Sequence, residues 1–465
     1  MIPLPSTRDR TLAVLGLGRS GLSACRALLA SGARVRAWDD APARRAVAAA
    51  AAVPVVDLEC CDWQEVDRLV LSPGIPLHHP RPHRLVARAL DAGVAVTGDL
   101  ELLVENDPAR GIVGITGTNG KSTTTTLVGA LLRAAGVGAQ VGGNIGLPVL
   151  DLLPKPGEDI YVLELSSYQL DLSEHLACSV AVILNLSPDH LERHGGMAGY
   201  VRAKARILRN QRATDWAVIG VDDDHCRALF EQARTERGRQ VVPVAVGRSL
   251  DDGVFVIDGR LYDALGPVAR PIVDLRPIES LRGTHNWQNA AAAYAAARVL
   301  GVEPRTAAEG LSRFRGLRHR METVRTIGGV RFVNDSKATN PDAAARALAC
   351  FERIYWIAGG RPKDASLEPL LPWLERVRHA YLIGEAAAAF EQAFGARVPC
   401  TLSGDLGTAL EQAAAAAGRE PEGGAVVLLA PACASFDQFT DFEARGDAFK
   451  ALVAALAEPA LEIGR

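Results

Sequence analysis

The stretch GIVGITGTNGKSTTTTLVGALL, residues 111–132, decides how this chain folds. Its apolar start, Ile112 to Ile115, predicts a buried strand, and its end, Thr123 to Leu132, predicts a helix. The glycines between them favour a tight loop whose backbone N–H groups turn inward, so that a phosphate can lie at the helix N-terminus. Lys121 would bring a positive charge to the outer phosphates, and Ser122 a hydroxyl ligand for magnesium.

The loop departs from the strict pattern G-x-x-x-x-G-K-[ST], because the first glycine of that pattern falls on Ile115. A strand before the loop and a helix after it supply the structural context that a phosphate loop needs. The alternative is an ordinary glycine turn before a helix. The Lys-Ser pair directly after Gly120 argues against that alternative.

The bulk properties of the chain are those of a soluble globular protein. Its 465 residues predict about three domains, and 48% are hydrophobic and 23% charged. A net charge of -3 gives no general attraction to nucleic acid or to an anionic membrane, and no apolar run reaches the ~18 residues that cross a bilayer. Eight scattered cysteines without a CxxC pair, and an N-terminus unlike a signal peptide, predict a cytoplasmic protein with reduced thiols.

A second glycine pattern opens the chain. A predicted strand, Thr11 to Leu15, leads into G-x-G-x-x-G at residues 16–21, and a second predicted strand ends in Asp39-Asp40. Taken alone, glycines followed by an acid about 20 residues later indicate an NAD-type site. The alternative is that the glycines only allow a helix and a strand to pack closely, and that the domain binds some other nucleotide.

Two residues that follow predicted central strands are candidate metal ligands. Glu164 directly ends the apolar strand Ile160 to Leu163, and a carboxylate beside a phosphate loop suits magnesium. His190 follows the predicted strand Val180 to Leu186 and lies where loops converge on a ligand. The alternatives are a helix-capping or surface role for the glutamate and a structural role for the histidine.

Lys204 is the most informative residue outside the phosphate loop. In the predicted helix Tyr200 to Asn210, its neighbours one turn away are Tyr200, Val201, Ile207 and Leu208. The lysine therefore lies on the apolar face, from which such side chains usually extend their amine to solvent. If the amine is buried instead, its pKa falls, and the neutral amine can add carbon dioxide to form a carbamate that suits magnesium.

The remaining sequence predicts a third domain of strands and helices. Residues 218 to about 281 show short β-like runs without readable chemistry. An alanine-rich helix follows, and it carries Asn286 and Asn289 on one face. The alternative role of Asn286 is to cap the N-terminus of that helix. Further strands, each followed by a polar loop, alternate with helices up to the C-terminus. The fold class is therefore α/β, with a Rossmann-like domain at 1–99, a P-loop mononucleotide-binding domain at 100–316 and a second Rossmann-like domain at 317–465.

Ten short motifs, in order along essentially the whole chain, resemble those of the Mur ligase family. They are SPG, GITGTNGKST, GGNIG, LELSSYQL, LNLSPDHLERH, YVRAKARI, GTHNWQN, LRHR, NDSKATNP and APACASFDQFTDFEARGDAF. The last two are most similar to the branch of the family that adds D-glutamate. The resemblance also accounts for the departure at Ile115, since the phosphate loop of the family has the form GTNGK[ST].

The resemblance implies an ATP-dependent amide ligase of peptidoglycan precursor synthesis. It would join D-glutamate to UDP-N-acetylmuramoyl-L-alanine through an acyl phosphate, with two magnesium ions and a lysine carbamate made from carbon dioxide. The three domains would hold the uridine nucleotide, ATP and the incoming amino acid, in that order. No nucleic acid or membrane partner is implied, and a monomer is expected.

The motifs also carry residue roles. The catalytic residues would be Lys121, His190, Lys204 and His319, and the metal ligands Ser122, Glu164, His190 and Lys204. ATP would contact Gly117, Thr118, Asn119, Gly120, Lys121, Ser122, Thr123, Asn289, Arg320 and Asp335. The uridine substrate would contact Gly18, Arg19, Ser20, Ser72, Pro73, Gly74 and Asn144, and D-glutamate would contact Lys337, Thr339, Lys363, Ser435 and Phe442.

One segment departs from the family pattern, and three alternatives stay open. Asp39-Asp40-Ala41 stands where a hydroxyl and a basic residue are commoner, which leaves the phosphate contacts of the first domain open. A related Mur-type ligase could add a different amino acid. An NAD-dependent oxidoreductase and a P-loop protein that uses nucleotide only as a switch are the alternatives from other classes.

Overall fold

A computed structural model describes residues 1–107, 111–153, 159–236, 238–362, 366–420 and 423–456. The described residues form two compact units. The first contains residues up to 275 together with 286–313, and the second contains 276–285 together with the residues from 314 onward. Three sheets with flanking helices confirm the α/β class; the first two sheets lie in the first unit and the third in the second.

A four-stranded parallel sheet forms the N-terminal part of the first unit. Its strands are β1 (Thr11–Leu15), β2 (Arg34–Trp38), β3 (Arg68–Leu71) and β4 (Ala95–Thr97), and its helices are α1 (Arg19–Ala30), α2 (Pro42–Ala50), α3 (Arg84–Asp91) and α4 (Asp99–Asn106). The strand order is β2-β1-β3-β4, with all pairs parallel. Helix α3 begins at Arg84, because the His83 ring accepts the N–H of Leu85 at 3.2 Å and caps the helix there.

A nine-stranded sheet forms the rest of the first unit. Its strands are β5 (Ile112–Thr116), β6 (Gly138–Gly143), β7 (Asp159–Glu164), β8 (Val180–Ile183), β9 (Trp216–Gly220), β10 (Gln240–Val246), β11 (Val254–Ile257), β12 (Arg260–Asp263) and β13 (Arg270–Asp274). Its helices are α5 (Lys121–Ala134), α6 (Ser167–Asp171), α7 (Met197–Ala205), α8 (Asp224–Thr235), α9 (Thr284–Val299) and α10 (Pro304–Ser312). The order is β13-β12-β11-β10-β9-β8-β5-β7-β6, and only the pairs β11–β12 and β12–β13 are antiparallel.

One strand and two helices of this part of the unit differ from the sequence prediction. The strand predicted to reach Leu186 ends at Ile183, because the next residues turn toward the phosphate loop. The helix around Lys204 starts earlier, at Met197, and continues after Ala205 as a 3-10 turn. Helix α8 was not predicted, although the Asp223 carboxylate caps it by accepting the N–H of Cys226 at 2.9 Å.

The third sheet belongs to the second unit and has six strands. They are β14 (Glu322–Ile327), β15 (Val330–Asn334), β16 (Ile354–Gly359), β17 (Val377–Ile383), β18 (Cys400–Gly404) and β19 (Val426–Leu429), flanked by α11 (Pro341–Leu348), α12 (Ala387–Phe394), α13 (Leu406–Ala417) and α14 (Phe442–Ala455). The order is β14-β15-β19-β16-β17-β18. The parallel sheet that was predicted here carries one antiparallel edge strand, β14, joined to β15 by the tight turn at Gly328 and Gly329.

Two global expectations can be compared with the structure. No disulfide joins any of the eight cysteines, all of which lie in the described part of the chain. Within the same described ranges, no helix has the length and apolar character needed to cross a membrane.

Because parallel strands end at the same edge of a sheet, the loops after β5, β7 and β8 meet at one edge of the central sheet.

Candidate active site

The phosphate loop lies between β5 and α5, and its glycines are required by its shape. Gly117 and Gly120 have φ angles of +148° and +89°, which L side chains rarely adopt. A Cβ added to Gly120 would lie 2.0 Å from Oδ1 of Asn289, a buried residue of α9. The predicted ATP residues Gly120 and Asn289 are therefore in contact, and the helix α5 starts directly at Lys121.

Asn185 holds the loop from the side of β8. The backbone N–H of Thr118 donates to the Asn185 carbonyl at 2.8 Å, and the N–H of Asn119 donates to Asn185 Oδ1 at 3.0 Å. Lys121 Nζ donates to the carbonyls of Gly117 and Thr118, both at 2.9 Å, so the amine lies over the loop. Asn185 was not predicted as a site residue, since its contacts with the loop bridge 66 residues of sequence.

Glu164, the last residue of β7, lies beside the start of α5. Its carboxylate accepts from Ser122 Oγ at 2.5 Å and from Asn144 Nδ2 at 2.9 Å. The side chain is buried, so the surface role considered for it is wrong. A carboxylate and a hydroxyl are oxygen donors of the kind that Mg²⁺ prefers, and the pair therefore fits the predicted metal. Asn144, predicted to contact the uridine substrate, contacts this acid.

Lys204 is 2% exposed, so the predicted apolar face is buried and the amine does not extend to solvent. Nζ donates to the Gly117 carbonyl at 2.8 Å and to Thr116 Oγ1 at 3.3 Å, and it lies 4.8 Å from the ring centroid of Tyr200. Burial, and after it the charge of Lys121, lower the pKa of Lys204 well below its usual value. The neutral amine that carbamate formation needs is thus favoured at this position.

A row of rings leads from His190 toward Lys204. His190 is 41% exposed at its side chain and lies 5.3 Å from the ring of Tyr168. Tyr168 stacks on His194 at 5.4 Å, and His194 lies 5.5 Å from Tyr200. His194 is buried, which lowers its pKa, and its Nε2 lies 2.9 Å from Ser167 Oγ. Of these rings only His190 was predicted; Tyr200 could have been found, because it precedes Lys204 by one helical turn.

The first glycine pattern serves packing. A Cβ on Gly21 would lie 1.8 Å from the Gly16 carbonyl oxygen, and a Cβ on Gly16 would lie 2.6 Å from Cβ of Ser72. Ser72 Oγ donates to the same Gly16 carbonyl at 2.8 Å. By contrast, nothing lies within 4 Å of a Cβ on Gly18, the cap residue of α1, which Arg19 and Ser20 follow. Of the three glycines in this pattern, Gly18 alone has open space beside it that a ligand could occupy.

The acids after β2 are already hydrogen-bonded. Asp39 accepts the N–H of Leu17 at 2.7 Å and that of Ala41 at 2.9 Å, so its carboxylate holds the glycine loop itself. Asp40 lies 3.0 Å from His83 Nε2 and 3.2 Å from an Arg84 nitrogen. Neither carboxylate is arranged for a ribose hydroxyl, which argues against an NAD site.

A small pocket lies in the first unit beside the other predicted uridine-substrate residues. It is lined by Pro73, Ile75, Leu77, His78, Tyr168, Asp171, Leu172 and Arg193. Arg193 donates to the Gly74 carbonyl at 2.9 Å and lies 4.6 Å over the Tyr168 ring. Arg19 donates to the Gly146 carbonyl. Arg193 was not predicted, because its partners are distant in sequence.

Four of the five residues predicted for D-glutamate are described, and they lie in or beside the loops at the carboxyl edge of the third sheet. Lys337 Nζ lies 3.8 Å from the ring centroid of Phe442, and Ser336 Oγ donates to the Phe442 carbonyl at 2.8 Å. Thr339 donates its N–H to the Lys337 carbonyl at 2.8 Å, and Ser435 is buried in the loop after β19. Lys363 lies outside the described residues.

His319 and Asp335 are both buried in the second unit. The Asn334 side chain donates to His319 Nδ1 at 3.0 Å, and burial lowers the pKa of His319, which favours the neutral ring. Burial raises the pKa of Asp335 to about 6, and the charge of Arg320 opposes that rise. In the first unit, Asn289 Nδ2 donates to Asn286 Oδ1 at 3.1 Å. Asn286 is the third residue of α9, so the N-cap role considered for it is wrong.

The chain belongs to the Mur ligase family. The MurD-like N-terminal domain of Mur ligases matches residues 10–98, the Mur ligase middle domain matches 115–297, and the glutamate ligase domain of Mur ligases matches 319–433. The chain is 52% identical to a UDP-N-acetylmuramoylalanine--D-glutamate ligase of Caulobacter vibrioides, over 98% of each chain. It is 48% identical to a protein of the same name from Rhodospirillum rubrum, over 98% of this chain and 97% of the relative.

Solved structures show the same fold at low sequence identity. The structure of UDP-N-acetylmuramate-alanine ligase from Thermotoga maritima aligns with a TM-score of 0.60 and 18% identity, over 96% of this chain and 99% of that one. A MurF structure from Acinetobacter baumannii aligns with a TM-score of 0.58 and 20% identity, over 98% and 92%. These two similarities concern the fold alone.

Proposed function

We propose that this chain joins D-glutamate to UDP-N-acetylmuramoyl-L-alanine, with conversion of ATP to ADP and phosphate, as a UDP-N-acetylmuramoylalanine--D-glutamate ligase of peptidoglycan synthesis. The observation that carries the proposal is the meeting of Lys121, Ser122 and Glu164 at one glycine loop. Identity of 46–52% over nearly the whole chain with ligases of that name supports the choice of D-glutamate.

The reaction needs an activated carboxylate, because a free carboxylate is a poor electrophile. The start of α5 and Lys121 would hold the ATP phosphates, and Ser122 with Glu164 would hold Mg²⁺. Bound magnesium would offset the charge that builds up during phosphoryl transfer to the muramoyl-alanine carboxylate. The amine of D-glutamate then attacks the acyl phosphate through a tetrahedral intermediate, and phosphate leaves.

Lys204 is proposed to act as a carbamate. The neutral amine adds carbon dioxide, forms an N–C bond and releases one proton, which leaves an anion with two oxygens. Its burial, and the contact of Nζ with the phosphate-loop carbonyl of Gly117, support this role because a second magnesium ion would need an anion there. His190 is the residue that the family motif assigns as the other ligand of that ion, and this role stays a prediction.

The proposed contacts with the two other substrates lie in different domains. Ser72, Pro73, Gly74 and the open side of Gly18 would contact the uridine nucleotide, and Lys337, Thr339, Lys363, Ser435 and Phe442 would contact D-glutamate. Lysine side chains suit this amino acid, since it carries two carboxylates. The roles of Asn289, Arg320 and Asp335 toward ATP, the catalytic role of His319 and the monomeric state stay predictions.

The proposal is tested by measuring phosphate release with UDP-N-acetylmuramoyl-L-alanine, ATP, Mg²⁺ and a panel of amino acids that includes both glutamate enantiomers. We expect release that depends on D-glutamate, with the amide product detected by mass spectrometry. Equal release with L-glutamate, or release with no amino acid required, would contradict the proposal.

A further inference from the structure

Arg445, in the first turn of α14, is the most deeply buried arginine described in the chain. Its side chain is 1% exposed. Among the described residues, no carboxylate lies within ion-pair distance of it, and its hydrogen-bond partners are uncharged, with the Asp437 carboxylate acting on it from further away. A buried cation without an anionic partner is costly, so its surroundings must compensate in another way.

The guanidinium is held by backbone carbonyls and one hydroxyl from two loops. Nε donates to Ser336 Oγ at 3.0 Å and Nη2 donates to the Ser336 carbonyl at 2.9 Å, both in the loop after β15. Nη2 also donates to the Cys433 carbonyl at 3.2 Å and Nη1 to the Ala434 carbonyl at 3.4 Å, both in the loop after β19. One planar side chain thus links two loops that are adjacent at the carboxyl edge of the sheet.

A third loop packs against the same group. A Cβ on Gly360, in the loop after β16, would lie 3.2 Å from Arg445 Nη1 and 2.3 Å from the Ala434 carbonyl oxygen. The space at this position therefore admits only glycine. The three loops are the ones that follow β15, β16 and β19, so the guanidinium lies near the centre of the sheet edge.

The two linked loops carry residues of the proposed amino-acid pocket. Lys337 directly follows Ser336, and Ser435 directly follows Ala434. Ser336 also donates to the Phe442 carbonyl at 2.8 Å, and Phe442 lies under the Lys337 amine. Displacement of the guanidinium would therefore move both loops relative to each other.

The groups that hydrogen-bond the guanidinium carry no charge, although the charge of Asp437 also acts on it. Carbonyl dipoles stabilise a cation without cancelling its charge, and the low dielectric of a buried site extends its field. That field adds to the charge of Lys337 at the edge where an amino acid with two carboxylates would bind.

We propose that Arg445 is a positioning residue for the amino-acid substrate, which sets the spacing of the loops after β15 and β19 and adds positive potential for a dicarboxylate. This inference rests on the proposed D-glutamate ligase function. Arg445 therefore affects the KM for D-glutamate and takes no part in the binding of ATP.

The test compares Arg445→Met, which removes the fork and the charge, with Arg445→Lys, which keeps the charge alone. We expect Arg445→Met to raise the KM for D-glutamate by about 10- to 100-fold, as the loss of hydrogen bonds to a charged group predicts. Arg445→Lys should raise it less, and the KM values for ATP and for the uridine substrate should stay within about twofold of wild type. Arg376→Met is the control: Arg376, directly before β17, also donates to a backbone carbonyl of this unit, that of Ala349 at 2.9 Å, and in addition pairs with Glu352.

Three results would overturn the inference: an unchanged KM for D-glutamate in Arg445→Met, a parallel rise in the KM for ATP, or equal effects of methionine and lysine. If Arg445→Met does not fold, Arg445→Gln replaces it, because it removes the charge and keeps an amide donor in the buried site, and the same rise specific for D-glutamate is then required at unchanged melting temperature. The wild-type enzyme is assayed first. Failure of wild type to use D-glutamate would reject the proposed function, whereas wild-type activity with unaffected variants would reject only the role of Arg445.

Discussion

The two glycine loops of the first unit have the same connectivity and different chemistry. Both connect a parallel strand to a helix, after β1 and after β5. In the first loop, Gly16 and Gly21 allow close packing and Asp39 binds the loop backbone. In the second, Gly120 packs on Asn289 while Lys121 and the Ser122–Glu164 pair bring a charge and oxygen donors. The glycine pattern thus defines a turn, and the side chains around it define the ligand.

Removal of Lys121 is expected to have the largest effect. Lys121→Ala should lower ATP turnover by more than about 100-fold, because no other side chain of the loop carries a positive charge for the phosphates. Phosphate release measures the effect, and circular dichroism and binding of the uridine substrate, both retained, are the controls. Turnover close to that of wild type would show that Lys121 does not bind the ATP phosphates, and the proposed chemical difference between the two loops would then be wrong.

Lys204→Ala should lower activity by about 100-fold or more, since both a negative charge and a metal ligand would be lost with the carbamate. Lys204→Arg should not restore activity, because a guanidinium stays protonated and does not add carbon dioxide. Arg202→Ala, an exposed change on the same helix, is the control.

Formate or acetate should restore part of the activity of Lys204→Ala by placing a carboxylate in the cavity. A crystal structure of active enzyme with density beyond Nζ would support the carbamate. An unmodified Nζ in such crystals would reject it.

The first loop should respond to substitution through stability. Gly21→Ala would place its methyl group 1.8 Å from the Gly16 carbonyl oxygen and should cost about 1–3 kcal/mol of unfolding free energy. Gly18→Ala meets open space, so its stability should match wild type while the KM for the uridine substrate rises. Thermal unfolding and steady-state kinetics separate the two outcomes, and equal destabilisation by both changes would contradict the packing role of Gly21.

A buried acid near the first loop should make the unfolding free energy depend on pH. Burial raises the pKa of Asp99, at the start of α4, to about 6, and one of its carboxylate oxygens has no hydrogen-bond partner. Because the folded state holds the proton more tightly than the unfolded state, this carboxyl favours folding below pH ~4 and loses that contribution as pH rises to about 6. Asp99→Asn stays neutral, so relative to wild type it should gain about 2 kcal/mol between pH 4.5 and 7.5 in urea unfolding. A difference that is the same at both pH values would show that folding does not raise the pKa of Asp99.

The smallest expected effect is none. Titration calorimetry with NAD should give no binding heat, because Asp39 and Asp40 are already bonded within the first domain, while UDP-N-acetylmuramoyl-L-alanine should bind. Tight binding of NAD would reverse the interpretation of the first loop and reopen the oxidoreductase alternative.

Local patterns predicted many of the strands, the phosphate loop and the apolar helix face on which Lys204 lies, but not the burial of its amine. The bounds of β1 are as predicted, since an apolar run next to glycines specifies them within a few residues. Lys204 was placed on an apolar face by its helical neighbours, and that face is buried. Glu164 was found because it directly ends a strand whose residues are nearly all buried.

Contacts between distant parts of the chain could not be predicted from such patterns. Asn185, Arg193 and Arg445 each bind a loop 66 to 119 residues away, and nothing in their own neighbourhood indicates that distant partner. The packing role of Gly16 and Gly21 was open for the same reason, since a glycine leaves no sequence trace of what lies against it.

The contact between Gly120 and Asn289 has a consequence for the order in which the nascent chain acquires its structure. The loop is synthesised about 170 residues before α9, which forms the surface against which Gly120 packs. At a translation rate of roughly 5–20 residues per second, about 10 to 30 seconds separate the two. During that interval the loop lacks its final support, so a ribosome-bound chain that ends before α9 carries the complete GTNGKS sequence without the complete nucleotide site.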